Sequence, residues 1–308
     1  MIIDAHAHVN FNAYKKDAPE VIRRALDNNT WLINAGSQIT TSERAVEIAN
    51  QYPQGVYACV GLHPIHLSDF SVDEDEHDVH FKPRQEKFDY DAYYKLAQNK
   101  KVVGIGEIGL DFFHLDSAPP DQLENLKKQQ KEIFIKQIDL AREVGLPLML
   151  HCRGSRKNPE DAYWEMLEIL REEKSLSNSP FAKGRELILS PFRKGGQWGI
   201  SGVIHCFTST LEIAKAFIDL GFCVGFTGIV TYSNAKDVQK VATELPLEKI
   251  IIETDCPYLA PQPVRGQRNE PLYVKHVAEK IATLKKFPLA EVEKTTFENT
   301  LRVFSKII

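Results

Sequence analysis

An α/β chain folded as a single (β/α)8 barrel is what this sequence predicts, on three observations. Eight apolar runs of strand length recur along its 308 residues, and amphipathic stretches of helical length separate them. Strands alternating with helices in this way predict a parallel sheet wrapped in helices. The third observation is where the polar chemistry falls. Five of the runs end in or beside His6 and His8, Glu107, His151, His205 and Asp255. The C-terminal ends of the strands are where a parallel barrel gathers its functional side chains.

The elements follow in order. The first strand, 2–8, opens on Ile2-Ile3, and the second, 30–35, reads Thr-Trp-Leu-Ile-Asn-Ala. Both carry the β-branched and aromatic residues that suit a pleated, buried surface. The third, 56–61, has Val56, Tyr57 and Val60; the fourth, 101–108, has Val102, Val103 and Ile105. Short apolar runs at 147–151, 202–206, 222–226 and 249–254 supply the other four. Strands buried on both faces, as in a parallel sheet, read as such runs. Apolar residues fall at helical spacing over 20–28, 41–51, 91–98, 123–144, 159–173, 210–220 and 235–245, and after the last strand over 271–284 and 290–306.

Two stretches interrupt the alternation. Residues 69–87 are acidic at first (Asp73-Glu74-Asp75-Glu76), carry His77 and His80, and follow the third strand. They are read as a solvated loop or a substrate-gating lid on the face that holds the polar groups. Residues 175–201 follow a helix and so belong to the opposite face, in a structural or subunit-contact role. Their 185–192 segment reads as an extra strand and Lys194-Gly195-Gly196 as a turn. With no internal repeat and no linker, 1–308 reads as one domain, expected to be a monomer.

Composition narrows the class. A 43% hydrophobic content supports one large core, and a net charge of -4 argues against a broad basic surface for gripping duplex DNA. It leaves room for a strand end in a cleft where bound metal reverses the local charge. Five cysteines include no CxxC pair; Cys59, Cys152, Cys206 and Cys223 sit in or beside apolar runs and read as small buried hydrophobes. No basic-then-apolar leader opens the chain, and no run approaches the ~18 apolar residues of a membrane span. The cytoplasm is the expected compartment, with no membrane partner.

The sequence Asp4-Ala5-His6-Ala7-His8 carries the first chemical hint. Alternate strand residues share a side, so His6 and His8 project together. Alone, such a pair reads equally as a metal grip or as a solvated or core pair. Joined by Glu107, His151, His205 and Asp255, all good ligands for a divalent ion, it points to a metal hydrolase.

At the level of motifs the chain resembles the TatD-like metal-dependent deoxyribonucleases, over nearly its whole length. The resemblance lies in Asp4-Ala5-His6-Ala7-His8, Gly61-Leu62-His63-Pro64, Gly106-Glu107-Ile108-Gly109-Leu110-Asp111, Pro147-Leu148-Met149-Leu150-His151-Cys152-Arg153, Val203-Ile204-His205-Cys206-Phe207 and Gly228-Ile229-Val230-Thr231-Tyr232. Glu253-Thr254-Asp255-Cys256-Pro257-Tyr258-Leu259-Ala260-Pro261 is the strongest segment, followed by Arg265-Gly266 and Asn269-Glu270-Pro271. Three departures bear on substrate fit more than on the metal centre. Gly154–Pro159 looks lengthened, with Asp161 in place of an earlier acid; Ser209 stands where the family often has glycine; and the two insertions are unusual.

The resemblance implies two divalent ions, Mg, Zn or Mn. His6, His8, Glu107 and Asp255 would hold one; Glu107, His151 and His205 would hold the other. A bridging carboxylate suits that task physically, because each oxygen can serve one cation. Asp255 would also take the proton of the attacking water. Asp4 and Glu253, by period-2 alternation, would share the inward face one step below the ligands, bonded to ligand imidazoles or simply to the core. His63 reads as a phosphate contact or a cap, Arg153 and Arg265 as phosphate contacts or structural ion partners, and Tyr258 as a stacking or a packing residue. Asn269 and Glu270 read as loop-fixing.

The activity so implied is hydrolysis of phosphodiester bonds in DNA, at single-stranded ends from the 3′ side. An ester or amide hydrolase such as a D-aminoacyl-tRNA deacylase is the alternative within catalysis. A non-catalytic nucleic-acid-binding barrel is the alternative outside it, and has no need of a bridging carboxylate.

Overall fold

Eight strands lie side by side in chain order, every neighbouring pair parallel, in a computed structural model that describes residues 1–68, 85–177 and 201–307. They are β1 (Ile2–Ala7), β2 (Thr30–Ala35), β3 (Val56–Val60), β4 (Val102–Asp111), β5 (Leu148–Arg153), β6 (Gly202–Ile204), β7 (Cys223–Phe226) and β8 (Ile250–Ile252). The helices α1 (Ala18–Asp27), α2 (Ile39–Asn50), α3 (Tyr90–Ala97), α4 (Pro120–Val144), α5 (Asp161–Ser177), α6 (Leu211–Asp219) and α7 (Lys236–Glu244) each follow the strand of the same number. After β8 come α8 (Val274–Lys285) and α9 (Leu289–Val303). This is the (β/α)8 barrel that the alternation predicts. Residues 69–84, with His77, His80 and the acids at 73–76, and 178–200, with the 185–192 segment and the turn at 194–196, lie outside the described residues.

Local chemistry sets the element ends. Pro19 sits in the first turn of α1, where its missing N–H costs nothing, and Val21, Ile22 and Ala25 turn inward. The long helix α4 stops at Gly145, whose φ of 67° is left-handed backbone that glycine adopts without a Cβ clash.

The sheet separates two apolar layers. Ile3, Ala5, Ile33, Ala35, Tyr57, Cys59, Val103, Met149, Val203, Cys223 and Ile251 cluster together, closed off by Phe304 and Ile307 beyond α9. The opposite face, including Ile2, Ala7, Leu32, Val56, Ile250 and Ile252, packs against the helices. Burying a side chain of this size contributes roughly 1.5–3 kcal/mol.

One irregularity decides the chemistry. The β1–β2 register runs Asp4 to Leu32 and then Ala7 to Asn34, so β1 carries one extra residue in between. Ile3 and Ala5 face the lumen, but past the bulge Ala7 faces the helices. The extra residue exchanges the two faces of the strand and turns His6 and His8 inward. β4 shows the same excess between Ile105 and Ile108, the interval that contains Glu107.

The bulge also corrects an expectation. Asp4 does not share a face with His6 and His8; its Oδ1 accepts from the Thr254 N–H at 2.8 Å and its Oδ2 from the Thr254 hydroxyl at 2.5 Å. It ties the two sides of the seam where β8 meets β1. Just above, Ala7 bridges Cys256, the Asp255 N–H donates to the His6 carbonyl at 2.9 Å, and the His8 N–H donates to the Cys256 carbonyl at 2.8 Å.

Strands β6 and β8 are shorter than expected, so His205 and Asp255 sit on the loops just beyond them. Cys206 (φ 45°) and Asp255 (φ 57°) hold left-handed backbone there, a conformation rare outside glycine. Conversely, β4 and β5 run further, to Asp111 and Arg153. Among the described residues no helix is long and apolar enough to cross a membrane.

Candidate metal centre

Glu107 stands between two sets of imidazoles. Its Oε2 lies 3.4 Å from His6 Nε2 and 3.6 Å from His8 Nε2, on the β1 side. Its Oε1 lies 3.1 Å from His151 Nδ1, 3.5 Å from His63 Nε2 and 3.9 Å from His205 Nε2. Asp255 Oδ1 closes the other side, 3.3 Å from His8 Nε2, 3.7 Å from His205 Nε2 and 3.8 Å from His6 Nε2. All six sequence-predicted ligands therefore meet at one mouth of the barrel.

Partners outside this group fix how the rings point. His8 Nδ1 is 2.9 Å from the Ala35 carbonyl, so Nδ1 carries the proton and Nε2 turns its lone pair to the cluster. The two nitrogens His6 Nε2 and His8 Nε2 are 3.0 Å apart. His151 is held from behind by Asp111, whose Oδ2 is 3.0 Å from His151 Nε2 and 2.7 Å from His114 Nδ1. His205 Nδ1 lies 2.9 Å from Glu253 Oε1, which also accepts the Cys206 N–H at 2.6 Å. Glu253 thus takes the role behind an imidazole that Asp4 does not. His63 differs: its Nδ1 accepts the Ile65 N–H at 3.1 Å, so in the neutral ring the proton sits on Nε2, facing Glu107.

Electrostatics follow from burial and crowding. Burial, reinforced by the positive charge of His151, pushes the His63 imidazole down to about 4, which keeps it neutral. Burial and the His205 charge lower His6 as well. Burial opposes protonation of His151 and His205 too. It is outweighed by Asp111 and Glu107 at His151, pushed up to about 9, and by Glu253, Asp255 and Glu107 at His205, pushed up to about 10. Burial raises the three carboxyls, but the surrounding imidazoles overcome it. His63 and His6 hold Glu107 well below the usual carboxylate range, His114 and His151 do so for Asp111, and His8 and His205 lower Asp255.

These residues fit a divalent cation. The ligand atoms of His6, His8 and Asp255, and likewise those of His6, Glu107 and His205, lie within 4.8 Å of one another. Fixed carboxylates that draw protons onto His151 and His205 offer the negative surroundings in which a cation displaces those protons. Imidazoles braced by Ala35, Asp111 and Glu253 are oriented in the way metal-binding histidines are.

The proposed substrate residues divide. His63 joins the cluster. Tyr258 sits on the same turn as Asp255, its N–H donating to the Asp255 carbonyl at 3.0 Å. The guanidinium of Arg153 lies 3.6 Å over the Phe113 ring, and that of Arg265 lies 4.6 Å over Tyr232. Asn269 and Glu270 brace the loop after β8. The Asn269 amide donates to the carbonyls of Thr254 at 3.0 Å and Tyr258 at 2.7 Å, and Glu270 pairs with Arg24 at 2.8 Å. Tyr14 donates to the Asn269 carbonyl.

Sequence reasoning passed over Asp111 and the Ala35 carbonyl. Asp111 had a signal, since residues 107, 109 and 111 share strand parity. A backbone carbonyl leaves none.

The chain is similar over nearly its whole length to known proteins. The family model for TatD related DNase matches residues 3–305. The chain is 37% identical over 306 residues to the uncharacterized metal-dependent hydrolase YabD of Bacillus subtilis, covering 99% of each. It is 28% identical over 309 residues to the 3'-5' ssDNA/RNA exonuclease TatD of Edwardsiella piscicida, covering 98% of this chain and 99% of that one. In fold it is similar to the crystal structure of YJJV, a TatD homolog from Escherichia coli, with a TM-score of 0.71, 24% identity and 99% and 98% of the two chains covered.

Proposed function

This chain belongs to the family of TatD-related DNases and is a metal-dependent hydrolase, and from that premise we propose that it removes nucleotides from single-stranded DNA ends, from the 3′ side. The observation that carries the reading is Glu107, with one carboxylate oxygen turned to His6 and His8 and the other to His151 and His205. His6, His8, Asp255 and Glu107 would hold one divalent ion; Glu107, His151 and His205 would hold a second. When bound, such a pair activates the attacking water and stabilises the departing oxygen of a phosphodiester. Mg, Zn and Mn are the candidate ions; imidazole-rich ligation favours zinc or manganese.

The chain's own groups supply the remaining steps. Asp255, kept ionised by His8 and His205, takes the proton of the attacking water. Neutral His63 presents its Nε2–H to a phosphate oxygen. Arg153 and Arg265, stacked by their faces, donate through their edges to the phosphates of the strand. Tyr258 lies against a base. The exonuclease name of the Edwardsiella relative supports the substrate. Five unpaired cysteines suit the reducing cytoplasm.

End-labelled single-stranded oligonucleotides with Mg, Mn or Zn test the proposal. Ladders should shorten progressively from the 3′ end, while closed circular single strands resist. Circles cut as fast as linear strands, or linear strands left intact with every metal, would overturn it.

A further inference from the structure

Next to His8 the structure has a cavity of about 310 Å³, bounded by the loop after β1, the start of α2 and Tyr258. This is near the lower end of the ~300–1,000 Å³ of small-molecule sites, room for one nucleotide and far too little for a duplex. Two of its lining side chains are aromatic. Phe11 stacks on the His8 ring, centroids 4.2 Å apart and planes 20° apart, so a residue that lines the cavity touches a candidate metal ligand. Tyr258 comes from the turn that carries Asp255. Asn12, Ser37 and Gln38 add neutral donors and acceptors.

The charge is one-sided. Among the described residues Arg44 lines the cavity, no Asp or Glu does, and Arg44 makes no hydrogen bond or ion pair. A half-buried guanidinium without a counter-charge among the described residues, beside two aromatic rings, is the combination that a base and its phosphate together satisfy. The loop that follows the His6–His8 strand and the turn that carries Asp255 both border the space, so a strand whose scissile phosphate reaches Glu107 and Asp255 brings a neighbouring nucleotide here.

We infer that this cavity is a nucleotide subsite, in which Phe11 and Tyr258 stack on the base and Arg44 holds the phosphate. The inference rests on the nuclease reading for its role in turnover, but not for the binding itself.

Calorimetric titration of the metal-loaded protein with dAMP, 2-deoxyribose 5-phosphate and deoxyadenosine separates the contributions. The wild type should bind dAMP about tenfold or more tightly than either fragment, the size of one base–aromatic stack. Tyr258→Leu should bring dAMP to within about threefold of the sugar phosphate, and Arg44→Gln to within about threefold of deoxyadenosine. Phe11→Leu repeats the stacking test should Tyr258→Leu misfold. Equal wild-type affinity for dAMP and the sugar phosphate overturns the inference, as does dAMP binding that ignores these substitutions. Discrimination by a protein that degrades no DNA keeps the subsite and removes the nuclease. DNA degradation without discrimination keeps the nuclease and removes the subsite.

Discussion

Glu253 lies 2.9 Å behind His205, carboxylate oxygen to Nδ1, in space that Gly225 leaves open. A Cβ built on Gly225 would fall 2.6 Å from that same oxygen. The glycine is required here for volume and not for backbone freedom. The other oxygen of Glu253 is buried and hydrogen-bonds nothing among the described residues, so the carboxylate is fixed by the Cys206 N–H and by its charge contact with His205.

Gly225→Ala should therefore push Glu253 off His205 and act like Glu253→Gln. Both should lower metal affinity or turnover by ~10–100-fold, as loss of a histidine's rear partner does. Metal affinity by competition with a chelator dye checks this; wild-type affinity in both variants would detach Glu253 from the centre.

Glu107→Gln keeps the shape and removes the charge shared by five imidazoles. Metal affinity should fall by more than the ~10–100-fold expected for a rear partner, and hydrolysis with it, while circular dichroism stays that of the barrel. Full metal content with undiminished rate would take Glu107 out of the bridge.

Asp111→Asn is expected to weaken metal binding by ~10–100-fold, because Asp111 braces His151. His114, on the other side of Asp111, is not aimed at the cluster, so His114→Gln should leave metal content close to wild type. Equal losses in the two variants would mean that the pair acts only through packing.

Thr254→Val strips Asp4 of a hydroxyl donor within the seam. Burial already pushes the Asp4 carboxyl well above its usual range despite Thr254 and His6, and an unsatisfied buried acceptor costs about 1–3 kcal/mol. Urea unfolding should show that loss, with metal content retained. Unchanged stability would show that water replaces the hydroxyl.

Chelation completes the set. If the cluster binds its ions only when folded, metal at 100 times its dissociation constant should add about 2.7 kcal/mol to stability. The unfolding midpoint should drop on chelation and recover on readdition; an unmoved midpoint would show that the folded chain holds the metal no better than the unfolded one.

The alternation of strands and helices was readable because each run faces a single environment, and the polar groups were readable because each closes or borders an apolar run, although β4 and β5 continue past Glu107 and His151. What escaped was register. Period 2 places Asp4 with His6, whereas the extra residue in β1 separates them; nothing in Asp4-Ala5-His6-Ala7-His8 advertises a bulge. Glu253 kept the expected parity because β8 has no such excess, and it reaches His205. Arg153 and Arg265 carry no sequence mark of the rings they lie on, since Phe113 and Tyr232 are brought to them by other elements.

The seam between β8 and β1 gives the barrel a clasp. Among the described residues the two edges meet through the Ala7–Cys256 bridge, the backbone bonds of His6, His8, Asp255 and Cys256, and the Asp4–Thr254 pair below. His6 and His8 belong to one edge and Asp255 to the other. Any cation gripped by all three would lock the cylinder shut, and any parting of the edges would dismantle its cage. Amide exchange at His8 and Asp255 should then slow sharply when metal is added, making those two protons reporters of whether the staves are hooped.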